Sequence, residues 1–265
     1  MQLNAAEDLT ASIQTHWRLW LNLGLRDTRG RYRRTALGPF WTVLSNAVMI
    51  LSLGLVYSIL WKIQIRDMLP YFCAGYITWN LFTTVVNESA VAFVMADAIM
   101  KSLTLPYLVH IFRVIWRNVI VFAHSLVVYA AVMLYFHIWP GRSLLLLAPG
   151  LVLLFVNFFW ISLSVAIVCT RFRDVTQVVA SLLQVLFFVT PIFWPVARLE
   201  GARMATFVLA DANFAYHLID VVRGPLIGQP PGALTWAYLT VTAVLGNLFA
   251  LAVFERNRRK LAFWL

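Results

Sequence analysis

Five arginines fall within nine residues, at Arg26, Arg29, Arg31, Arg33 and Arg34. A guanidinium presents a planar fork of N–H donors that matches phosphate oxygens, so a cluster this dense is suited to recognising an anion. It runs straight into an uncharged stretch from Trp41 to Trp61, and such a stretch is long enough to cross about 30 Å of hydrocarbon. The forks would then stand at the depth of a lipid headgroup, with Arg29, Arg31, Arg33 and Arg34 as the candidate contacts. The cluster also has a plainer use. Lys and Arg beside the end of a span are retained on the cytoplasmic side and attract anionic lipid.

Other residues with chemical potential are few. Glu88, beside Asn87, lies in an apolar stretch roughly 13 Å of helix rise from Asp97. A carboxylate at that depth needs a partner or water, and it faces the substrate path or the coupling machinery, or else has a structural hydrogen-bonding role. His124 is isolated among apolar residues and reads as an interhelical hydrogen bonder. Asp220 and Arg223, three residues apart, can pair on one helical face. His16, His110, His137 and His217 show no metal-ligand spacing, and Cys73 and Cys169 sit in apolar segments as packing residues. No Gly-x-x-x-x-Gly-Lys-Ser/Thr run occurs, so ATP hydrolysis, if used, must come from a partner. A membrane-embedded enzyme would need acids, bases or metal carboxylates converging at membrane depth, and Glu88 alone does not supply them.

The elements that position these residues are membrane spans. The chain is 62% hydrophobic and 12% charged, with a mean hydropathy of +0.79, where soluble domains carry about 25% charged residues. The net charge of +10 flanks apolar segments, which points to anionic lipid rather than nucleic acid. Apolar segments at Trp41–Trp61, Tyr71–Ala96, Val114–Phe136, Ser143–Thr170, Val175–Trp194 and Ala233–Phe254 predict an all-α polytopic membrane protein with six spans and both termini inside. On that topology 15 basic residues face inward and 6 outward, as the positive-inside bias requires. Residues 1–40 form a cytoplasmic interfacial region, 41–254 the membrane region and 255–265 a cytoplasmic tail, together one transmembrane domain. Glu7 and Asp8 stand where a secretory signal would be basic, so no leader is expected. Ile13, Trp17, Trp20, Leu21 and Gly24 recur at helical spacing and predict a helix lying in the interface.

Two connections stand out. The inner one begins with Asp97 as a candidate N-cap, continues through Ile99, Met100, Lys101 and Leu103, and is broken by Pro106, which predicts a short amphipathic docking helix. In the outer one, Ala205–Leu209 and Phe214–Val222 are too apolar for a solvated loop and too short to span. They predict re-entrant helices between spans five and six.

Four motifs then stand in order along nearly the whole chain: Arg26-Asp27 with Arg31-Tyr32 and Thr35-Ala36-Leu37-Gly38-Pro39-Phe40-Trp41; Arg171-Phe172-Arg173-Asp174-Val175; Thr190-Pro191-Ile192-Phe193-Trp194-Pro195; and Asn213-Phe214-Ala215-Tyr216-His217-Leu218-Ile219 with Arg223. Together they resemble the permease subunits of ABC-2 type polysaccharide exporters, which move lipid-linked O antigens, teichoic acids and some capsules. The resemblance implies a half-transporter of the bacterial inner membrane. Two copies would enclose a channel, and two separate ATP-binding subunits would dock beneath it, holding ATP and Mg while this chain holds no cofactor. Asp97, Ile99, Lys101, Leu103 and Pro106 are similar in placement to the coupling helix, and Arg171, Arg173 and Asp174 to a second, smaller contact. The arginine cluster would receive the pyrophosphate of an undecaprenyl-diphosphate-linked polysaccharide, and the re-entrant helices would close the channel mouth.

Aromatic residues make up 15% of the chain, and Tyr71, Tyr76, Trp79, Phe187, Phe188, Phe193 and Trp194 gather toward the outer half. They are candidate channel-lining rings, on which sugars stack through their C–H faces. An aromatic belt facing lipid is the alternative for each. Among exporters of this type, O antigen is favoured by the motifs before the first and fifth spans. Capsule or teichoic acid export, and ABC-2 export of lipids or drugs, are the other readings.

Overall fold

The computed structural model describes residues 4–33, 38, 40–196 and 201–265. Arg34, and with it Thr35–Leu37 and Pro39 of the first motif, lies outside the described residues. The described residues are helical and contain no strand. The helices are α1 (Ala5–Thr10), α2 (Trp17–Tyr32), α3 (Phe40–Trp61), α4 (Ile65–Ala90), α5 (Ala92–Ser102), α6 (Leu108–Phe136), α7 (Leu147–Arg171), α8 (Val175–Val189), α9 (Arg203–Thr206), α10 (Phe214–Leu226) and α11 (Ala233–Trp264). A 3₁₀ turn at Gly141–Leu146 leads into α7, and a π-helical turn at Phe207–Asp211 follows α9.

Four of these segments are long and apolar enough to cross a membrane: α3, α6, the unit Gly141–Arg171, and α11. Two bent pairs pass the same test. α4 and α5 meet at 47°, and Arg203–Asp211 meets α10 at 76°, which gives up to six spans if each pair is one. The expected fifth span, Val175–Trp194, is shorter than its apolar run. α8 stops at Val189, with Thr190 extended at φ −84° and ψ 135°, because Pro191 pushes the residue before it out of the helical region. Where short re-entrant helices are expected, Arg203–Asp211 and α10 form this 76° bend, the shape of a broken span or of a re-entrant loop.

The expected docking helix also begins earlier than its sequence suggests. Asp97 is no N-cap. It lies in the middle of α5, where it pairs with Lys101 one turn on at 2.8 Å, and the break falls instead at Val91, whose backbone leaves the helical region at φ −113° and ψ 8°.

Long-range contacts gather into two ends. At one, Asp8 accepts hydrogen bonds from the backbone N–H groups of Tyr107 and Leu108 at 2.9 and 3.0 Å, so α1 caps α6 across 100 residues. The Ala5 N–H donates to Glu255 of α11 at 2.6 Å. At the other, Tyr57 stacks on Phe193 at 4.7 Å, Tyr129 donates to the Leu226 carbonyl at 2.7 Å and Ser143 to that of Gly228 at 3.0 Å. Between the ends, Asn157 holds α7 to α11. Its amide donates to the Leu239 carbonyl, and its carbonyl accepts from Thr242, both at 3.0 Å. Such bonds join helices where apolar contact alone gives no preference over lipid. Gly150 lets α10 close on α7, since a Cβ there would come within 2.7 Å of the Val221 carbonyl oxygen.

Candidate functional site

The α1–α2 end carries a network of charges. Arg113 holds Asp27 in a two-pronged contact at 2.6 and 2.7 Å. Arg117 bridges onward, reaching Asp27 at 3.2 Å and Glu88 at 2.6 Å. Glu88 also accepts from Arg31 and from the Asn118 amide, both at 2.6 Å. The depth of Glu88 demanded a partner, and it has three, drawn from α2 and α6. Arginine serves here because its fork meets two carboxylates at once. The network walls a cavity of about 510 Å³ whose lining adds Arg26 and His110.

This arrangement divides the expected arginine cluster. Arg31 reaches Glu88, while Arg29 on α2 and Arg33 just past its end stand exposed and do not line the cavity. The convergent cations are Arg26, Arg31, Arg113 and Arg117, two of them 80 or more residues beyond α2 in the sequence. Their one signal in the sequence is the i, i+4 spacing of Arg113 and Arg117 on the helix that starts at Leu108.

On the flank of the bundle, α3, α4 and α8 enclose a groove of about 360 Å³. Tyr76, Trp79, Phe187 and Phe188 line it together with Asn80, Thr83, Asn87 and Gln184. Four of the seven expected aromatics therefore share one surface with amide and hydroxyl groups. Within it Trp79 is 5% exposed and packs 5.6 Å from Phe187, whereas Phe188 is 61% exposed. The other three do not join it. Phe193 is buried against Tyr57, and Trp194 offers its carbonyl to the Tyr71 hydroxyl at 3.4 Å.

Tyr71 belongs to a cavity of about 490 Å³ at the end opposite the charge network, lined by Asp67, Tyr216, Asp220, Arg223 and Gln229 among others. The expected Asp220–Arg223 pair is not what forms. Arg223 donates to the Pro191 carbonyl at 2.8 Å and lies over Tyr71, 4.1 Å from the ring centre. Asp220 accepts from Thr235 at 2.9 Å. Each found a partner on another element because α10 is packed on both sides. His124 likewise stays within its helix, 2.7 Å from the Ile120 carbonyl.

The expected docking residues lie near the charge network. Leu103 is 55% exposed, Ile99 half-buried and Pro106 buried. Arg171, Arg173 and Asp174 are exposed, and Arg171 rests between Phe172 and Trp264, 4.9 and 5.4 Å from their ring centres. The last turn of α11 thus braces that loop. Among the described residues no group of His, Cys, Asp and Glu is placed to hold a metal ion.

The ABC-2 type transporter profile matches residues 18–227, from the start of α2 to the end of α10. The O-antigen export system permease protein RfbA of Myxococcus xanthus is 25% identical over 193 residues, which cover 72% of this chain and 74% of that protein. With its charge network, groove and bent helix pairs all inside the matched region, the chain belongs to the ABC-2 type transporter family.

Proposed function

We propose that this chain is the membrane subunit of an ATP-driven exporter that carries a lipid-linked polysaccharide, of the O-antigen kind, across the bacterial inner membrane. The supporting observation is the groove of α3, α4 and α8. It sets Tyr76, Trp79, Phe187 and Phe188 beside Asn80, Asn87 and Gln184, and rings with amides are what a sliding glycan needs. The similarity to an O-antigen export permease adds to this reading.

On this proposal two copies meet so that their grooves face each other. α3 and α8 offer Val48, Leu51, Leu55, Val178, Leu182 and Val185 as exposed apolar side chains for that contact. The charge-network end is cytoplasmic and the spans number six. An undecaprenyl diphosphate headgroup meets the exposed Arg29 and Arg33 and the basic cavity behind them. Two ATP-binding subunits dock on Ile99, Leu103 and the 171–174 loop.

The test pairs two variants in cells that export the polymer. F187A with F188A should lower surface polymer at least several-fold while the ATPase still co-purifies, since a ring contact is worth about 1–3 kcal/mol in the comparable nucleobase case. I99D with L103D should abolish co-purification, because it buries charge in the docking groove. Normal export by the first variant would remove the channel assignment, and normal co-purification of the second would remove the docking surface.

A further inference from the structure

His217 of α10 is 1% exposed, and each of its ring nitrogens meets one oxygen. Nε2 stands 3.0 Å from the Asp211 carbonyl, and Nδ1 stands 3.1 Å from the Thr235 hydroxyl. That hydroxyl donates to Asp220 at 2.9 Å. The hydrogens in this row can be counted. A carbonyl oxygen carries none, so Nε2 must donate to Asp211. A hydroxyl carries one, and Thr235 has given its own to a carboxylate, so Nδ1 must donate as well. If Asp220 holds the proton instead, it donates to Thr235, which donates to Nδ1, and the count is the same. The row closes only with one proton more than a neutral imidazole and a carboxylate supply together.

We propose that His217, Thr235 and Asp220 form a binding site for a single proton, which fastens the bent helix pair to α11. The site is reached from solvent through the cavity that Asp220 lines. The imidazole stacks on the face of Tyr238 at 4.4 Å, which favours a cationic ring, and makes an edge contact with Tyr216 at 5.4 Å. The charged and titratable groups on the elements around it include Arg203, Asp211, Tyr216, Asp220 and Arg223 of the bent pair, Tyr238 of α11, Arg66, Asp67 and Tyr71 of α4, and Arg142 of the 3₁₀ turn.

Asp211 is the last residue before the 76° bend, so the proton bears on the elbow itself. With it bound, the elbow, α10 and α11 are joined by a continuous row of hydrogen bonds. Without it, one of the three contacts has no hydrogen. The elbow is therefore held at low pH and loosens as the pH on that side rises. This inference does not depend on what the transporter carries.

The test is amide hydrogen exchange of residues 207–217 in the full chain reconstituted in lipid nanodiscs, from about pH 5 to about pH 9, corrected for intrinsic rates. The opening population of the wild type should rise roughly tenfold to a hundredfold across that range, the loss of one hydrogen bond to a charged group. D220N supplies the missing hydrogen from its own amide, so its elbow should stay protected at every pH. T235V breaks the row and should open the elbow at every pH, and T235S should restore the wild-type slope. A flat wild-type profile would overturn the proposal, and so would a D220N protein that opens with pH as the wild type does.

Discussion

Arg117 and Arg223 occupy opposite ends of the bundle and are held by different means. Arg117 is 19% exposed in its side chain and shares two carboxylates, Asp27 and Glu88, with two other arginines. Arg223 is 2% exposed and is held by a carbonyl and two aromatic rings, Tyr71 and Tyr216. A charge-sharing network tolerates rearrangement, because each member has an alternative partner and water is near. A buried cation held by a carbonyl and ring faces has no second arrangement. The first end is built to meet other charges, and the second to lock the bent helix pair against α4 and the Thr190–Pro191 break.

The largest effect is expected where that lock is removed. R223A orphans the Pro191 carbonyl and loses both ring contacts, a cost of about 3–5 kcal/mol in unfolding measured in lipid–detergent micelles. R223K keeps the charge without the planar fork and should fall between R223A and the wild type. Wild-type stability in R223A would show that the two ends are held alike.

A smaller effect separates members within the network. A double-mutant cycle of Arg117 with Glu88 should give a coupling of about 1.5–3 kcal/mol, as for a hydrogen bond to a charged group with limited water access. The same cycle for Arg31 with Glu88 should give below about 1 kcal/mol, since the Arg31 side chain is 45% exposed and its charge is screened. Equal couplings would mean that depth does not grade the network.

The same contrast explains what was legible in the sequence. The apolar runs placed α3, α6, α7 and α11, because a helix in lipid must satisfy its backbone internally and so must be long and continuous. The need of Glu88 for partners was also legible from its depth. Their identity was not. Arg31, Arg117 and Asn118 stand 57, 29 and 30 residues from Glu88 in the chain, and no periodicity connects them to it. The bend at Val91 contains neither proline nor glycine, so no local signal marks it, whereas the end of α8 was written in Pro191 and hidden by the apolar run continuing to Trp194. Composition does not say where a ring points. Trp79 and Phe188 look alike in the sequence, and tertiary packing alone buries the one and exposes the other.

The smallest effect is expected at Asp8, which stands outside the spans at the charged end. Burial raises its carboxyl above the ordinary 3.8, working against the stabilising N–H groups of Leu108 and Tyr107, the Ser12 hydroxyl and the positive charge of Arg258. The folded state therefore binds this proton more tightly than the unfolded chain does. Its contribution to stability is fully present below the unfolded value and declines as pH rises through the folded one. D8N keeps a carbonyl acceptor for one of the two N–H groups and never ionises. It should leave stability at neutral pH within about 0.5 kcal/mol of the wild type. Its pH profile should lack the loss that the wild type shows on passing upward from about pH 4. Unfolding measured over that range in both proteins decides the matter. A D8N protein that keeps the wild-type slope would place the titration elsewhere, and one destabilised by several kcal/mol at neutral pH would show that the negative charge at the start of α6 outweighs its burial, making this end as dependent on a single side chain as the Arg223 end.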